Sequence, residues 1–415
     1  MNEAKKISVP EIRKDFPMYD KHQGLFDGLP LHYLDNSATS FKPYSVLEAM
    51  RHYDEDITAN AHRGDYPLAH AVDVAYEGAR KRVGAFLNAD PDEVLFTSGT
   101  TFGLNEVAYG LRKKIGPGDV IVLSYEEHAS NVLPWFALAK EQGATIRYVP
   151  LTPEGRITPE NLKSVLSDKV KIVSLATVSN VLGYRLPVKE LAALAHSVGA
   201  LYVEDGAQSV PHFATDVKDS DVDFLAFSGH KMLGPTGIGV LYGKRKLLAE
   251  MDPVFYGGEM NARFNSRQEV SLEEAPLKFE AGTQNLEGAL GLAAACDYLT
   301  AVGFDAIEAH EKELKKAAVE GLRKNGNAVI YNPDSESGIV AFNVKGVFAQ
   351  DAASYLASKG VYVRSGQHCA KILPEFLNTP ATVRASFYLY NDLDDVRALV
   401  EASQHAEDFL DVFFH

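Results

Sequence analysis

Residues 201–231 read LYVEDGAQSVPHFATDVKDSDVDFLAFSGHK. Two short apolar runs, Leu201–Asp205 and Phe224–Ser228, each end in a polar residue followed by glycine. Both are too short for a stable helix and are bounded by turn residues, so each reads as a buried strand. The same pattern recurs at Val94–Thr97, Val120–Ser124, Thr145–Val149, Lys171–Ala176 and Gly239–Tyr242. Between these runs, helical spacing is predicted over Val72–Asn88, around Leu104 and Val107, near Trp135, within 158–167 and over Pro187–Ser197. Apolar runs alternating with helices predict an α/β fold: a mainly parallel sheet sandwiched by helices.

Toward the C-terminus the pattern changes. A long helix is predicted over roughly Ala289–Lys324, then strands near Ala328–Tyr331 and Gly338–Val344. A helix at Gln350–Lys359, strands at Val361–Arg364 and Val383–Tyr388, and a last helix from Leu393 complete a smaller α+β unit. The expected division is an N-terminal segment, 1–30, packing with the small domain, then a large domain, 31–295, and a small C-terminal domain, 296–415.

Composition narrows the function. The 415 residues include 41 Lys+Arg and 56 Asp+Glu, a formal net charge of −15. Such acidity gives no support to binding nucleic acid or an anionic membrane. Two cysteines, Cys296 and Cys369, cannot form a disulfide scaffold or a four-thiolate metal site. The histidines show no metal-ligand spacing, so no metal is expected. The first residues, MNEAKKISVPEIRKDFP, lack the apolar region of a signal peptide, and no run approaches a membrane span. A cytoplasmic protein is the expectation.

In an open α/β sheet, ligands bind at the carboxyl ends of the strands. There the chain places Ser98-Gly99-Thr100-Thr101 at a helix start, Asp205-Gly206-Ala207-Gln208, and Ser228-Gly229-His230-Lys231. Each alone has a structural reading: a hydroxyl cap, an acidic cap, a solvent-facing lysine. Together they supply an anion cradle, an isolated carboxylate and an amine, the set that pyridoxal phosphate needs. Cys369, in a Gly/Ser/Gln loop with Arg364, His368 and Lys371 close in sequence, is a candidate nucleophile, since positive neighbours favour thiolate. Cys296, in the apolar run GALGLAAACDYL, reads as buried core.

These segments, with YLDNSATSFKP (33–43), AHRG (61–64), EEHASNVLPW (126–135), VSNVLG (178–183), FEAGTQN (279–285), VRSGQHCA (363–370) and VRASFYLYN (383–391), resemble fold-type I pyridoxal-phosphate enzymes of the class V aminotransferase group. More closely, the chain resembles the group II, SufS-type cysteine desulfurases. The resemblance implies roles for matching residues. Lys231 would be the Schiff-base lysine, Asp205 the partner of the pyridinium nitrogen and Gln208 that of the phenolic oxygen. His128 would stack on the ring and move protons. Thr100 or Thr101, Ser228 and His230 would hold the phosphate. Thr283 would reach the other subunit's cofactor, implying a homodimer with shared active sites. Asn180 and Arg384 would bind the substrate carboxylate, with Arg364 near them. Cys369 would accept sulfur from L-cysteine and pass it, as a persulfide, to a small SufE-like or SufU-like protein in iron–sulfur cluster assembly. The chain differs from the usual pattern at Asp65-Tyr66-Pro67 and at Gln367. The rival readings are a selenocysteine lyase, a class V transaminase or epimerase in which Cys369 is incidental, and an inactive scaffold.

Overall fold

The structure, a computed structural model, describes residues 6–62, 64–258, 260 and 263–410. Residues 1–5 of the N-terminal segment and Arg63 of the AHRG motif lie outside the described residues.

The strands of the large sheet are β1 (Val94–Thr97), β2 (Val120–Ser124), β3 (Thr145–Val149), β4 (Val170–Ala176), β5 (Leu201–Asp205), β6 (Phe224–Ser228) and β7 (Gly239–Gly243). Their spatial order is β1-β7-β6-β5-β4-β2-β3. Only β7 runs antiparallel to its neighbours, β1 and β6, so the other six point their carboxyl ends to one edge. Alternate side chains feed two cores. Val120 and Val122 of β2 join the core beneath helices Pro67–Leu87 and Leu286–Val302, whereas Ile121 and Leu123 join Leu104, Val107 and Trp135 on the opposite face. That double coverage explains why the strands read as unbroken apolar runs.

A buried ion pair fastens the segment that follows β7 to this core. Arg80 donates from Nη1 and Nη2 to Glu280 at 2.8 and 2.9 Å, and Tyr76 adds a hydroxyl donor at 3.1 Å. The two side chains are 1% and 2% exposed. Removing one partner strands the other charge away from water. Glu280→Gln is therefore expected to lower the unfolding free energy by about 3 kcal/mol, measured by urea denaturation.

The helix predicted over Ala289–Lys324 is two helices, Leu286–Val302 and Phe304–Asn325, meeting at 76°. They join at Gly303, whose φ of +92° lies where a Cβ is disfavoured. Sequence periodicity is helical on both sides of the break and does not register the turn. The boundary expected at 295/296 falls inside the first helix. Leu292, Ala293 and Cys296 of that helix join the large-sheet core, while Leu314, Ala318 and Leu322 of the second join a separate core. Among the described residues no single helix is long and apolar enough to cross a membrane.

That second core underlies an antiparallel sheet of β8 (Ala328–Ile330), β9 (Ile339–Val344), β10 (Arg364–Gly366) and β11 (Thr382–Ser386), in the order β8-β9-β11-β10. The strand expected at Val361–Arg364 is split. Val361–Tyr362 pairs in parallel with His32–Tyr33 near the start of the chain, and only β10 joins the sheet. The N-terminal segment also contacts the last helix: Arg13 bridges Asp392 and Asp395, and its Nε donates to the Tyr390 carbonyl at 2.8 Å.

Candidate active site

The carboxyl edge of the large sheet and the β10–β11 region of the small sheet enclose a cavity of about 320 Å³. It is lined by Thr100, Thr101, His128, Asn180, Asp205, Gln208, Ser228, His230, Lys231, Arg364, Cys369 and Arg384. These are the candidate residues named from sequence, apart from Thr283. Thr283 is exposed and lies beside Asn60 and His62, outside this cavity.

Lys231 ends a short 3-10 turn directly after β6. The preceding carbonyl, that of His230, accepts from Ser40 N at 2.8 Å, Thr39 Oγ1 at 3.0 Å and Ser40 Oγ at 3.2 Å, which fixes the turn. Burial pushes the Lys231 ammonium down to about 8, with Asp205 opposing the shift and Arg384 adding to it. Asp205, 3% exposed at the end of β5, accepts from Ala207 N at 3.0 Å, and burial raises its carboxyl. Gln208 donates to the Ser37 carbonyl at 2.7 Å, leaving its Oε1 buried without a partner.

The anion cradle is built at the end of β1. Gly99 caps the helix Thr100–Gly110 with φ +143°, and a Cβ there would meet Ser228 Oγ at 3.1 Å. Thr100 N donates to Ser228 Oγ at 2.8 Å, and the two hydroxyls lie 2.7 Å apart. Backbone N–H groups and hydroxyls gathered at a helix N-terminus suit a phosphate.

His128 has a defined protonation state. Ser130 N donates to its Nδ1 at 3.1 Å, so Nδ1 carries the lone pair and Nε2 the proton. Burial and Lys231 push the ring down to about 4, which keeps it neutral near pH 7. Sequence reading missed Ser130, whose hydroxyl also meets Thr101 Oγ1 at 2.7 Å.

The cysteine loop is held at its backbone. His368 and Cys369 both have left-handed φ, +52° and +60°. Ala129 N donates to the Cys369 carbonyl at 2.8 Å, and Asn180 Nδ2 donates to the His368 carbonyl at 2.6 Å. Cys369 itself is exposed. Cys296 is buried, and burial pushes its thiol up, as a core cysteine should be.

One sequence inference needs correcting. His368 is not a positive neighbour of the thiol. Its Nε2 lies 3.1 Å from the Thr382 carbonyl, so that nitrogen carries the hydrogen, and Nδ1 is buried without a partner. Burial and Arg384 push the ring down to about 3. Lys231, Arg364 and Arg384 line the same cavity as Cys369. The neutral His368 has a consequence for acid stability. Between its ordinary value near 6.5 and about 3, the unfolded chain binds a proton that the folded chain refuses. Stability from this group is present above pH 6.5 and lost as the pH falls. From pH 7 to pH 4, wild type is expected to lose about 3 kcal/mol more than His368→Gln in urea unfolding.

Arg384, 2% exposed, donates from Nη1 to the Asn180 carbonyl at 2.8 Å, and its Nε is buried without a partner. Asn180 Oδ1 is likewise unpartnered. Asp35, which sequence reading did not single out, accepts from both arginines: Arg364 at 2.9–3.2 Å and Arg384 at 3.3 Å.

The family model described as "Aminotransferase class-V" matches residues 32–399. The chain is 45% identical to a "Probable cysteine desulfurase" of Halalkalibacterium halodurans, covering 97% of this chain and 99% of the relative. It is 43% identical to a "Cysteine desulfurase" of Haloferax volcanii, over 98% and 99% of the two chains. Among solved structures it is similar to the cysteine desulfurase CsdA of Escherichia coli, with TM-score 0.89, 36% identity, and 97% and 99% coverage. A cysteine desulfurase of Thermococcus onnurineus gives TM-score 0.91 at 37% identity, over 97% and 98%. With the family model spanning most of its length and relatives above 40% identity end to end, the chain belongs to the aminotransferase class-V family.

Proposed function

We propose that the protein is a pyridoxal 5'-phosphate-dependent cysteine desulfurase. It converts L-cysteine to L-alanine and holds the sulfur as a persulfide on Cys369. The observation that carries this is the meeting of an exposed thiol with a buried lysine, an isolated carboxylate and two arginines in one cavity.

The residues fit the cofactor. The Gly99–Thr100 cradle suits its phosphate, Asp205 its ring nitrogen, and the unpartnered Gln208 Oε1 and the amide beside it lie at the same cavity wall. When bound, pyridoxal phosphate supplies an aldehyde for an amine and a ring that takes up electrons released at the substrate's Cα. Asp205 keeps a proton on the ring nitrogen. Lys231, with an ammonium near 8, has a substantial neutral fraction near neutral pH and takes the Cα proton. Arg384, with its free Nε, and Asn180 hold the substrate carboxylate, and Arg364 adds charge at the mouth. His128 presents Nε2–H to the cavity as a hydrogen-bond donor. Cys369 Sγ forms an S–S bond to the substrate sulfur as the Cβ–S bond breaks. The bonding pair stays with the carbon skeleton, which takes up protons and leaves as alanine.

The loop that carries Cys369 is tied down on both sides, so its persulfide has little reach. A small acceptor protein of the SufE-like or SufU-like kind therefore comes to the cavity mouth, and the sulfur goes to iron–sulfur cluster assembly in the cytoplasm. Thr283, exposed and outside its own chain's cavity, serves the second subunit of a homodimer.

The test is direct. Protein loaded with pyridoxal phosphate is given L-cysteine and a thiol reductant, and alanine and sulfide are measured. Equal amounts of both are expected. Cofactor-loaded protein that forms neither would sink this reading.

A further inference from the structure

The register of the small sheet creates a local problem. Arg364 of β10 stands directly opposite Arg384 of β11. Like charges in directly opposed positions repel. Arg384 is also buried, and its burial lowers the preference for charge. Asp35 answers this. It lies just after the strand His32–Tyr33, bridges Ser386 on β11 and sets its carboxylate between the two guanidiniums. Arg364 grips it through Nε and Nη2 at 2.9–3.2 Å, and Arg384 Nη2 approaches at 3.3 Å. The Asp35 side chain is 15% exposed, so water screens these contacts only in part.

We propose that Asp35 is a positioning and specificity-determining residue for the substrate's carboxylate. It fixes the two arginines in their cross-strand pair and leaves them one net positive charge, matched to a substrate with a single carboxylate. Asp35 does not line the cavity, so it acts through the arginines. The Arg384 Nη1 bond to Asn180 and the Asp35 contact at Nη2 together leave Nε as the unpartnered edge of the guanidinium. The nearby histidines do not alter the charge count: His128, His230 and His368 are all pushed well below 6.5 by burial and stay neutral. Lys231 and Asp205, of opposite charge, both line the cavity.

This inference rests on the desulfurase reading for its substrate, and the experiment keeps the two apart. Cofactor-loaded wild type and Asp35→Asn are compared in L-cysteine kinetics and in equilibrium binding of L-alanine and L-aspartate, read by the cofactor's visible spectrum. The expected result is a rise of about tenfold in KM for cysteine and in Kd for alanine, with kcat within about threefold. The variant should also bind aspartate better relative to alanine, by at least about threefold, because the arginine pair now carries two uncompensated charges. Asp35→Glu, which keeps the charge, should restore the wild-type alanine-to-aspartate preference and covers the case in which the Asn variant does not fold. Unchanged KM and Kd, or weakening of both ligands with no change in their ratio, would overturn the proposal. Wild type that binds alanine but makes no sulfide would count against the desulfurase reading alone, because the binding comparison still judges Asp35.

Discussion

Cys369→Ala is expected to reduce sulfide and alanine formation from L-cysteine by about a thousandfold or more, while cofactor content stays at the wild-type level. The size follows from the absence of a substitute. The other cysteine, Cys296, is buried in the helix Leu286–Val302 with its thiol pushed up, so it can neither reach the cavity nor ionise near pH 7. The substitution leaves the loop intact, because the bonds that hold it run to the carbonyls of His368 and Cys369 rather than to the thiol. Sulfide, alanine and the cofactor's absorbance are measured side by side. Cysteine turnover that survives in the variant would eliminate the persulfide step. Loss of cysteine turnover with retained release of selenium from selenocysteine would favour a lyase.

Lys231→Ala should be as severe and should differ in kind. Turnover falls by about a thousandfold or more, and the long-wavelength absorbance of lysine-bound cofactor disappears. The variant should fold, because Lys231 contributes a destabilised charge. Its ammonium sits at about 8 in the folded chain against an ordinary 10.5. The unfolded chain therefore binds the proton more tightly between those values. The resulting penalty is fully present below pH 8 and fades as the pH rises toward 10.5. At pH 7 the cofactor-free variant should be at least as resistant to urea as cofactor-free wild type. An unchanged visible spectrum in Lys231→Ala would refute the assignment of this lysine.

Much of the site was legible because its parts sit at strand ends. Val94–Thr97, Val120–Ser124, Leu201–Asp205 and Phe224–Ser228 are apolar runs with a sharp polar terminus, and the sheet turns those termini into one edge. Other features depend on what sequence order does not hold. The bend at Gly303 is invisible to a periodicity that is helical on both sides. The neutrality of His368 comes from burial against Thr382, fourteen residues on in the sequence. Asp35 stands in a quoted motif, but its partners are set by the register of β10 against β11, more than three hundred residues away. The role of Ser130 rests on a backbone amide aimed at a ring nitrogen, which no residue pattern encodes.

The pairing of His32–Tyr33 with Val361–Tyr362 bears on how the protein is made. Asp35, which braces the arginines, is made more than three hundred residues ahead of Arg364 and Arg384. The strand His32–Tyr33 is likewise made long before its partner Val361–Tyr362. The strands of the large sheet all lie between residues 94 and 243, whereas the substrate end of the cavity must wait for residues 364–384. A nascent chain halted before β10 could therefore form the lysine, carboxylate and cradle while lacking both arginines and the thiol. Cysteine chemistry in this way waits for the small sheet.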